Sequence, residues 1–82
     1  MEIIKETNFI RFVRLDRPKK HKTDIVQILN SNDELLGEIK WYANWRKYCF
    51  FPSSDVLFDA ICLENILDVV FQLQTERNII DL

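Results

Sequence analysis

The amino-acid sequence predicts an α+β fold, in which an antiparallel β-meander of four to five strands packs against one C-terminal amphipathic helix. Three observations predict this fold. Short runs of aromatic and β-branched residues fill the first part of the chain, turn-forming clusters separate them, and apolar residues then recur at helical spacing. The chain has 82 residues, of which 48% are hydrophobic. We therefore expect residues 1–82 to form a single small domain with one core.

Two strands are predicted in the N-terminal part of the chain. Residues 8–15 are rich in aromatic and β-branched side chains, although their alternation is imperfect. Residues 17–22 contain a proline and four Lys or Arg residues, so we expect them to form an exposed connection. Residues 24–29 carry four apolar residues in six positions and predict the second strand.

A hairpin is predicted next. The turn formers at 30–33, Asn-Ser-Asn-Asp, separate two apolar runs, and Asn and Asp tolerate a positive φ. Residues 35–42 predict a third strand, because their side chains alternate between two faces. The inward face is expected to carry Leu35, Gly37, Ile39 and Trp41. After a weak turn at 43–44, residues 45–51 predict a fourth strand, which Pro52 ends because proline has no N–H to donate.

The C-terminal part of the chain predicts one helix. Residues 56–58 are interpreted as either a short last strand or a lid on the core. Asp59 suits the N-cap of a helix over residues 60–76. The apolar positions of this helix recur at spacings of three and four, at Leu63, Ile66, Leu67, Val70 and Leu73. We expect the helix to lie across one face of the sheet, and the apolar tail at 78–82 to dock on the domain body or on a second copy.

The net charge of −2 hides an asymmetry along the chain. Residues 1–48 contain ten Lys or Arg against seven Asp or Glu, whereas residues 49–82 contain one against six. This distribution predicts a molecule with one basic side and an acidic helix end.

The two cysteines, Cys49 and Cys62, lie in apolar surroundings, and no charged-then-apolar leader precedes residue 20. These features favour a cytoplasmic location in which both are free thiols, with a disulfide between them as the alternative. No apolar run approaches the roughly 18 residues that cross a membrane. We therefore expect a soluble protein without membrane contact.

The sequence offers little for catalysis. His21 is the one histidine, and no serine or cysteine lies in a context that would activate it as a nucleophile. A zinc site needs about four ligands with paired spacing, which this chain lacks. A chain with one glycine has no Gly-rich nucleotide-binding loop. We therefore expect no enzymatic activity, no catalytic residue, no metal and no cofactor.

A basic segment precedes the second predicted strand. It consists of Arg14, Arg17, Lys19, Lys20 and Lys22. These five cations are candidate phosphate contacts for a nucleic acid, with an expected slope of log affinity against log salt of about −4 to −5. The alternative is a solvated loop whose lysines serve solubility.

The most distinctive segment is residues 39–52, where six aromatic residues are interleaved with Lys40, Arg46 and Lys47. This composition suits either base stacking with phosphate contact or a protein-binding hot spot. In the simplest register, the inward residues are Trp41, Trp45, Cys49 and Phe51. The outward residues, which form the candidate interaction surface, are then Tyr42, Arg46, Tyr48 and Phe50. The alternative is that the N-terminal segment or a dimer mate covers this second face.

The same segment carries a resemblance to a known group of proteins. The pattern consists of Ile39-Lys40-Trp41, Trp45-Arg46, Tyr48-Cys49-Phe50-Phe51-Pro52, Phe58 and Cys62-Leu63. It resembles a family of short uncharacterised proteins of bacteria and their phages, over residues 39–75. The resemblance implies a compact cytoplasmic or phage-encoded protein and brings no established activity.

Two functional hypotheses follow. The first is a small non-enzymatic binding or accessory protein that uses the 39–52 hairpin to engage a protein partner or to form a homodimer. The alternative is a nucleic-acid-binding protein, in which the basic 14–22 segment holds phosphates and the hairpin aromatics stack on bases.

Overall fold

The computed structural model describes residues 1–80, which form five strands and one helix. The elements are β1 (Glu2–Glu6), β2 (Ile10–Arg14), β3 (Ile25–Asn30), β4 (Leu35–Tyr42), β5 (Lys47–Pro52) and α1 (Ala60–Ile80). The strands build one antiparallel sheet in the order β1-β2-β3-β4-β5. The predicted α+β meander is confirmed, because each strand pairs with the next one along the chain.

The sequence patterns did not predict β1. Its two isoleucines are flanked by Glu2, Lys5 and Glu6, and a bulge between Ile3 and Lys5 breaks the alternation of side chains. The strand is recognisable only through its pairing with β2. The meander was expected to have four strands, with residues 56–58 as a possible fifth, and β1 is the fifth strand instead.

Residues 56–58 do not form the short last strand, and the alternative of a lid on the core holds for Phe58 but not for Leu57, which is 97% exposed. These residues form no strand, and the ring of Phe58 packs edge-on against Phe50, with ring centroids 5.3 Å apart. The helix starts at the predicted residue but continues to Ile80. The expected docking of the 78–82 tail therefore falls partly within the helix, and Asp81 and Leu82 lie outside the described residues.

The core lies between one face of the sheet and α1. It consists of Ile10, Phe12, Val26, Ile28, Ile39, Tyr48, Ile66, Val69 and Leu73. A fully buried aliphatic side chain contributes about 1.5–3 kcal/mol to folding, so these residues supply the main stabilising force.

The helix is rotated relative to the predicted stripe. Ile66, Val69 and Leu73 are buried, whereas Leu63 and Leu67, which the spacing placed on the same stripe, are about half-exposed. Three polar contacts hold this rotation: Lys5 Nζ to Asp68 Oδ2 (3.1 Å), Arg14 Nη2 to Glu76 Oε2 (3.3 Å) and the Tyr48 N–H to Gln74 Oε1 (2.9 Å). Because they come from β1, β2 and β5, they tie the helix to both edges of the sheet.

Local hydrogen bonds set the turns and the helix start. Asn30 Oδ1 accepts from the N–H groups of Asn32 and Glu34, both at 2.9 Å, and Asp33 has a φ of 61°, as the turn-forming cluster predicts. Asp59 Oδ1 accepts from the Cys62 N–H at 2.8 Å, which confirms the predicted N-cap. Hydrogen bonding to Cys62 also lowers the pKa of the Asp59 carboxyl.

Gly37 allows β5 to approach β4 closely. A Cβ atom at this position would lie 2.7 Å from Cε1 of Phe50, 2.8 Å from the Phe51 carbonyl oxygen and 3.1 Å from Cα of Pro52. Two of these atoms belong to the backbone and cannot move aside without shifting the strand. The glycine is therefore required by the packing of the β4–β5 hairpin.

We expect Gly37→Ala to destabilise the protein by about 1–3 kcal/mol, the usual result of overpacking a filled core. Equilibrium urea denaturation gives the free energy of unfolding. Ser54→Ala, in an exposed turn, is the matched control and is expected to change it by less than about 0.5 kcal/mol. Equal stability of the Gly37→Ala and wild-type proteins would contradict the close strand approach.

Candidate interaction surface at the basic end of the sheet

The basic segment and the aromatic hairpin meet at one end of the molecule. Because neighbouring strands run in opposite directions, the β2–β3 connection and the β4–β5 turn lie at the same end of the sheet. The last turns of α1 reach this end as well. Arg77 donates from Nη1 to the Lys22 carbonyl oxygen at 3.3 Å, and its guanidinium lies 5.2 Å from the centroid of the Trp41 ring.

We call residues 15–24, 40–47 and 74–78 the basic end. These ranges contain eight Lys or Arg residues against three Asp or Glu. The connections at the opposite end, residues 7–9, 31–34 and 53–59, contain four carboxylates and no Lys or Arg. The charge asymmetry predicted along the chain thus becomes a separation between the two ends of the sheet, although the last turns of α1, which were expected to be acidic, lie at the basic end.

The register of the hairpin corrects the predicted faces of β5. Trp41 lies opposite Tyr48, and Ile39 lies opposite Phe50, so these four side chains share the face that α1 covers. Tyr48 is only 6% exposed, and Phe50 packs against the core. The expectation that Tyr48 and Phe50 face outward is therefore wrong.

The cause of this error is that the predicted faces did not follow the pairing across the turn. A turn of two residues and the observed turn of four residues both pair odd-numbered residues of β4 with even-numbered residues of β5, so Tyr48 and Phe50 share the face of Trp41. The predicted strand starts at residue 45, whereas β5 starts at Lys47, because residues 43–46 form a four-residue turn. The turn is closed by hydrogen bonds from the Trp45 and Arg46 N–H groups, each 3.2 Å from its carbonyl acceptor. Arg46 adopts a φ of 53°, a left-handed conformation that the sequence pattern does not signal.

Tyr48 is a buried residue that connects the hairpin to the rest of the fold, and it does not lie on the surface. Its hydroxyl accepts from the Asp24 N–H at 3.0 Å, and its own N–H donates to Gln74 Oε1 at 2.9 Å. Its ring packs edge-on against Trp41, with centroids 5.3 Å apart. Burial raises the pKa of the Tyr48 hydroxyl. Through its hydroxyl and its backbone N–H, Tyr48 joins β5 to the residue that precedes β3 and to α1.

A different set of aromatic residues lies on the face of the sheet that α1 leaves open. Trp45 is 67% exposed, and its ring lies edge-on to Tyr42 at 5.0 Å between centroids. The rings of Tyr42 and Phe51 also pack edge-on, with centroids 6.3 Å apart, and the Lys40 ammonium lies 4.7 Å from the centroid of the Phe51 ring. We call Lys40, Tyr42, Trp45, Arg46 and Phe51 the hairpin surface.

The hairpin surface retains part of the predicted site. Tyr42 and Arg46 were expected outward, and Arg46 is exposed while Tyr42 is half-buried among the aromatic rings. Trp45 and Phe51 were expected inward but lie on the open side, together with Cys49. Pairing across an even-numbered turn would have assigned Cys49 and Phe51, since one register decides the face of every residue in β5. Trp45 and Arg46 lie in the turn itself.

The basic segment divides into paired and exposed cations. Arg14 lies beside three carboxylates, Glu76 at 3.3 Å and Asp24 and Glu2 at 3.9 Å each. Arg17 pairs with Asp24 at 3.4 Å. Of the five candidate phosphate contacts, the exposed lysines, without a carboxylate partner in the part of the chain that the structure describes, are Lys19, Lys20 and Lys22.

The fold and the hairpin surface define a small α+β meander protein with an exposed aromatic-basic patch. The chain is 37% identical over 75 residues to an uncharacterised 9.3 kDa protein of Acholeplasma phage L2. The match covers 90% of this chain and 95% of the phage protein, so the chain belongs to the same family. No protein-family model and no solved structure matches the chain. Residues 1–80 include no helix that is long and apolar enough to span a bilayer.

The geometry predicts that the two tryptophans differ in solvent access. The Trp41→Phe variant keeps the exposed Trp45, and the Trp45→Phe variant keeps the half-buried Trp41. Acrylamide should therefore quench the tryptophan fluorescence of Trp41→Phe more strongly than that of Trp45→Phe. Stern–Volmer plots measure the difference, and far-UV circular dichroism controls for folding. Equal quenching in the two folded variants would contradict the exposure of Trp45.

Proposed function

We propose that this protein is a non-enzymatic accessory protein of phage or prophage origin, which acts in the host cytoplasm and binds a protein partner, or a second copy of itself, through the hairpin surface. The observation that carries the proposal is the cluster of Tyr42, Trp45 and Phe51 on the open face of the sheet, flanked by cations. Trp, Tyr and Arg are the residues most enriched among binding hot spots.

The contacts within the hairpin surface favour binding. Edge-on packing between Tyr42 and its two aromatic neighbours, together with Lys40 above Phe51, holds these side chains in place in the free protein. A pre-ordered surface loses little side-chain entropy when a partner docks. Trp45 projects from this cluster, so a partner that covers its ring removes a large apolar area from water.

The family relationship supports a phage or prophage origin. The phage relative matches nearly the whole chain. Several residues of the pattern by which the sequence resembles short bacterial and phage proteins, among them Ile39, Trp41, Phe50 and Phe58, pack in or against the core. We infer that proteins with this pattern share the fold.

Removing the Trp45 ring should weaken partner binding selectively. We expect Trp45→Ala to reduce binding by about 2 kcal/mol, or roughly 30-fold in affinity, because the side chain lies at the centre of the proposed contact. Capture from a host-cell extract with quantitative mass spectrometry measures binding to another protein, and sedimentation equilibrium measures self-association.

The matched control is Phe71→Ala, since Phe71 is an aromatic residue of similar exposure, 62%, on the outer side of α1. We expect Phe71→Ala to bind the partner with the same affinity as the wild-type protein. Loss of binding in Phe71→Ala with full binding in Trp45→Ala would place the contact on the helix and contradict the proposal.

Nucleic-acid binding is the second candidate function. The observation that favours it is the position of the exposed lysines Lys19, Lys20 and Lys22 at the same end as Trp45, so that phosphate contacts and base stacking lie within one surface. With Arg14 and Arg17 paired to carboxylates, three phosphate contacts remain. The expected slope of log affinity against log salt is then about −2 to −3 and not the steeper value for five cations.

Fluorescence anisotropy with labelled single-stranded and duplex oligonucleotides tests this candidate. Binding at about 50 mM salt should disappear when Lys19, Lys20 and Lys22 are all changed to Gln, since the loss of three phosphate contacts removes most of the affinity. Arg11→Gln, near the opposite end where Arg11 pairs with Asp33, is the control. No binding by the wild-type protein at this salt concentration would exclude the candidate.

A further inference from the structure

The face of the sheet that α1 leaves open is apolar on the side of β1 as well as at the hairpin surface. An antiparallel sheet with one face in water usually presents polar residues on that face. Val13 and Leu29 alternate with the core residues Phe12 and Ile28, so they point away from α1. Ile3 lies opposite Val13 and shares its face. A face with apolar residues in several strands is typical of an interaction surface.

A groove of about 430 Å³ lies among Ile3, Val13 and Leu29. Val13 is 8% exposed and lies at the base of the groove, whereas Ile3 is 56% exposed and forms a wall. This volume lies within the range of pockets that hold small organic ligands, so a large aromatic side chain from another chain fits into it.

The rim of the groove carries a negative charge. Glu6 is exposed, and no Lys or Arg within residues 1–80 pairs with it. Arg11 also lies at the rim, but its charge is balanced by the ion pair with Asp33. Glu2 adds a second carboxylate, 3.9 Å from Arg14. The groove therefore combines an apolar base with an acidic rim.

The hairpin surface has the complementary chemistry. The ring of Trp45 projects into solvent, and Arg46 follows it in the turn without a carboxylate partner in the described part of the chain. The hairpin surface lies at the basic end beside β5, whereas the groove lies beside β1 and extends toward the opposite end. The two sites are too far apart to meet within one chain, but they can meet between two chains.

Two copies related by a two-fold axis make this contact twice. Because the sites occupy diagonally opposite corners of the open face, the strands of the two copies then cross at nearly a right angle, an arrangement that packed sheets adopt. Five strands of five to eight residues give an open face of roughly 500 Å² on each copy. Two such faces bury about 1,000 Å², near the lower limit for a specific interface.

We propose that the open face is a homodimer interface, in which Trp45 of each copy enters the groove of the other and Arg46 pairs there with Glu6. This inference rests on the proposed function and identifies the partner as a second copy of the chain. A second copy is favoured because it matches both the hairpin surface and the groove in shape and charge. An unrelated protein partner is the competing outcome in the tests below.

Sedimentation equilibrium of the full chain, between about 10 and 300 µM, measures the dimer directly, since an interface of this size predicts a dissociation constant in the micromolar range. Trp45→Ala and Ile3→Lys should each raise this constant about tenfold or more, because each removes one half of the same contact. Ile3 is exposed, so the lysine leaves the fold intact, which circular dichroism checks. Phe71→Ala is the matched control and should dimerise like the wild-type protein.

Mixing two charge variants tests the reciprocal contact. Glu6→Lys and Arg46→Asp each place like charges at both contacts of their own dimer, so each should be monomeric at about 50 mM salt. Aspartate tolerates the left-handed conformation of position 46. A mixed dimer has one native contact and one contact between the two substituted side chains, whose charges are opposite. We therefore expect the mixture to dimerise, and Glu64→Lys, a charge control on α1, to dimerise like wild type.

Two results would overturn the inference. The first is a mixture of the two charge variants that remains as monomeric as each variant alone. The second is a dimer that Trp45→Ala disrupts but Ile3→Lys and Glu6→Lys leave unchanged, since this dimer does not use the groove. Recovery of the dimer in the mixture, with loss in Trp45→Ala and in Ile3→Lys, supports it.

The capture assay separates this inference from the proposed function. A wild-type protein that stays monomeric at about 300 µM but captures a host protein through Trp45 overturns the homodimer and supports the hairpin surface as a site for another protein. Dimerisation and capture that both survive Trp45→Ala overturn the proposed function as well.

Discussion

The contacts of Tyr48 determine which side of the molecule each hairpin residue occupies. Its ring is buried against Trp41, its hydroxyl accepts from the Asp24 N–H, and its N–H donates to Gln74 of the helix. A slip of one residue in β5 would move Tyr48 to the open face, break these hydrogen bonds and bring the smaller Cys49 beneath the helix. The same register that buries Tyr48 leaves Phe51 beside Tyr42 on the open face, where Trp45 joins them.

The charge distribution is a second consequence of the topology. In a meander, alternate connections lie at the same end, so the lysine-rich connection between β2 and β3 is brought beside the β4–β5 turn. The paired arginines Arg14 and Arg17 serve the fold, because they hold Asp24, Glu2 and Glu76 around the start of β3 and the end of α1. Ion pairs that remain partly open to solvent, as these do, contribute little stability individually. The exposed cations of the basic end without a carboxylate partner in residues 1–80 are then Lys19, Lys20, Lys22, Arg46 and Lys47.

The amino-acid sequence by itself determined the elements that depend on local chemistry. Alternation predicted the bounds of β4, although Leu35, which was expected inward, is 42% exposed and Leu36 packs against the core instead. The Asn-Ser-Asn-Asp cluster predicted the β3–β4 turn, and Asp59 predicted the start of the helix. Only the tertiary structure decided the pairing of β1, the rotation of the helix, and the exchange of Tyr48 and Phe50 for Trp45 and Phe51 on the surface. The physical reason is that a turn or a cap is set by neighbouring residues along the chain. The face of a strand and the side of a helix are instead set by contacts between residues that are distant in sequence, such as Tyr48 with Gln74 and Arg77 with Trp41.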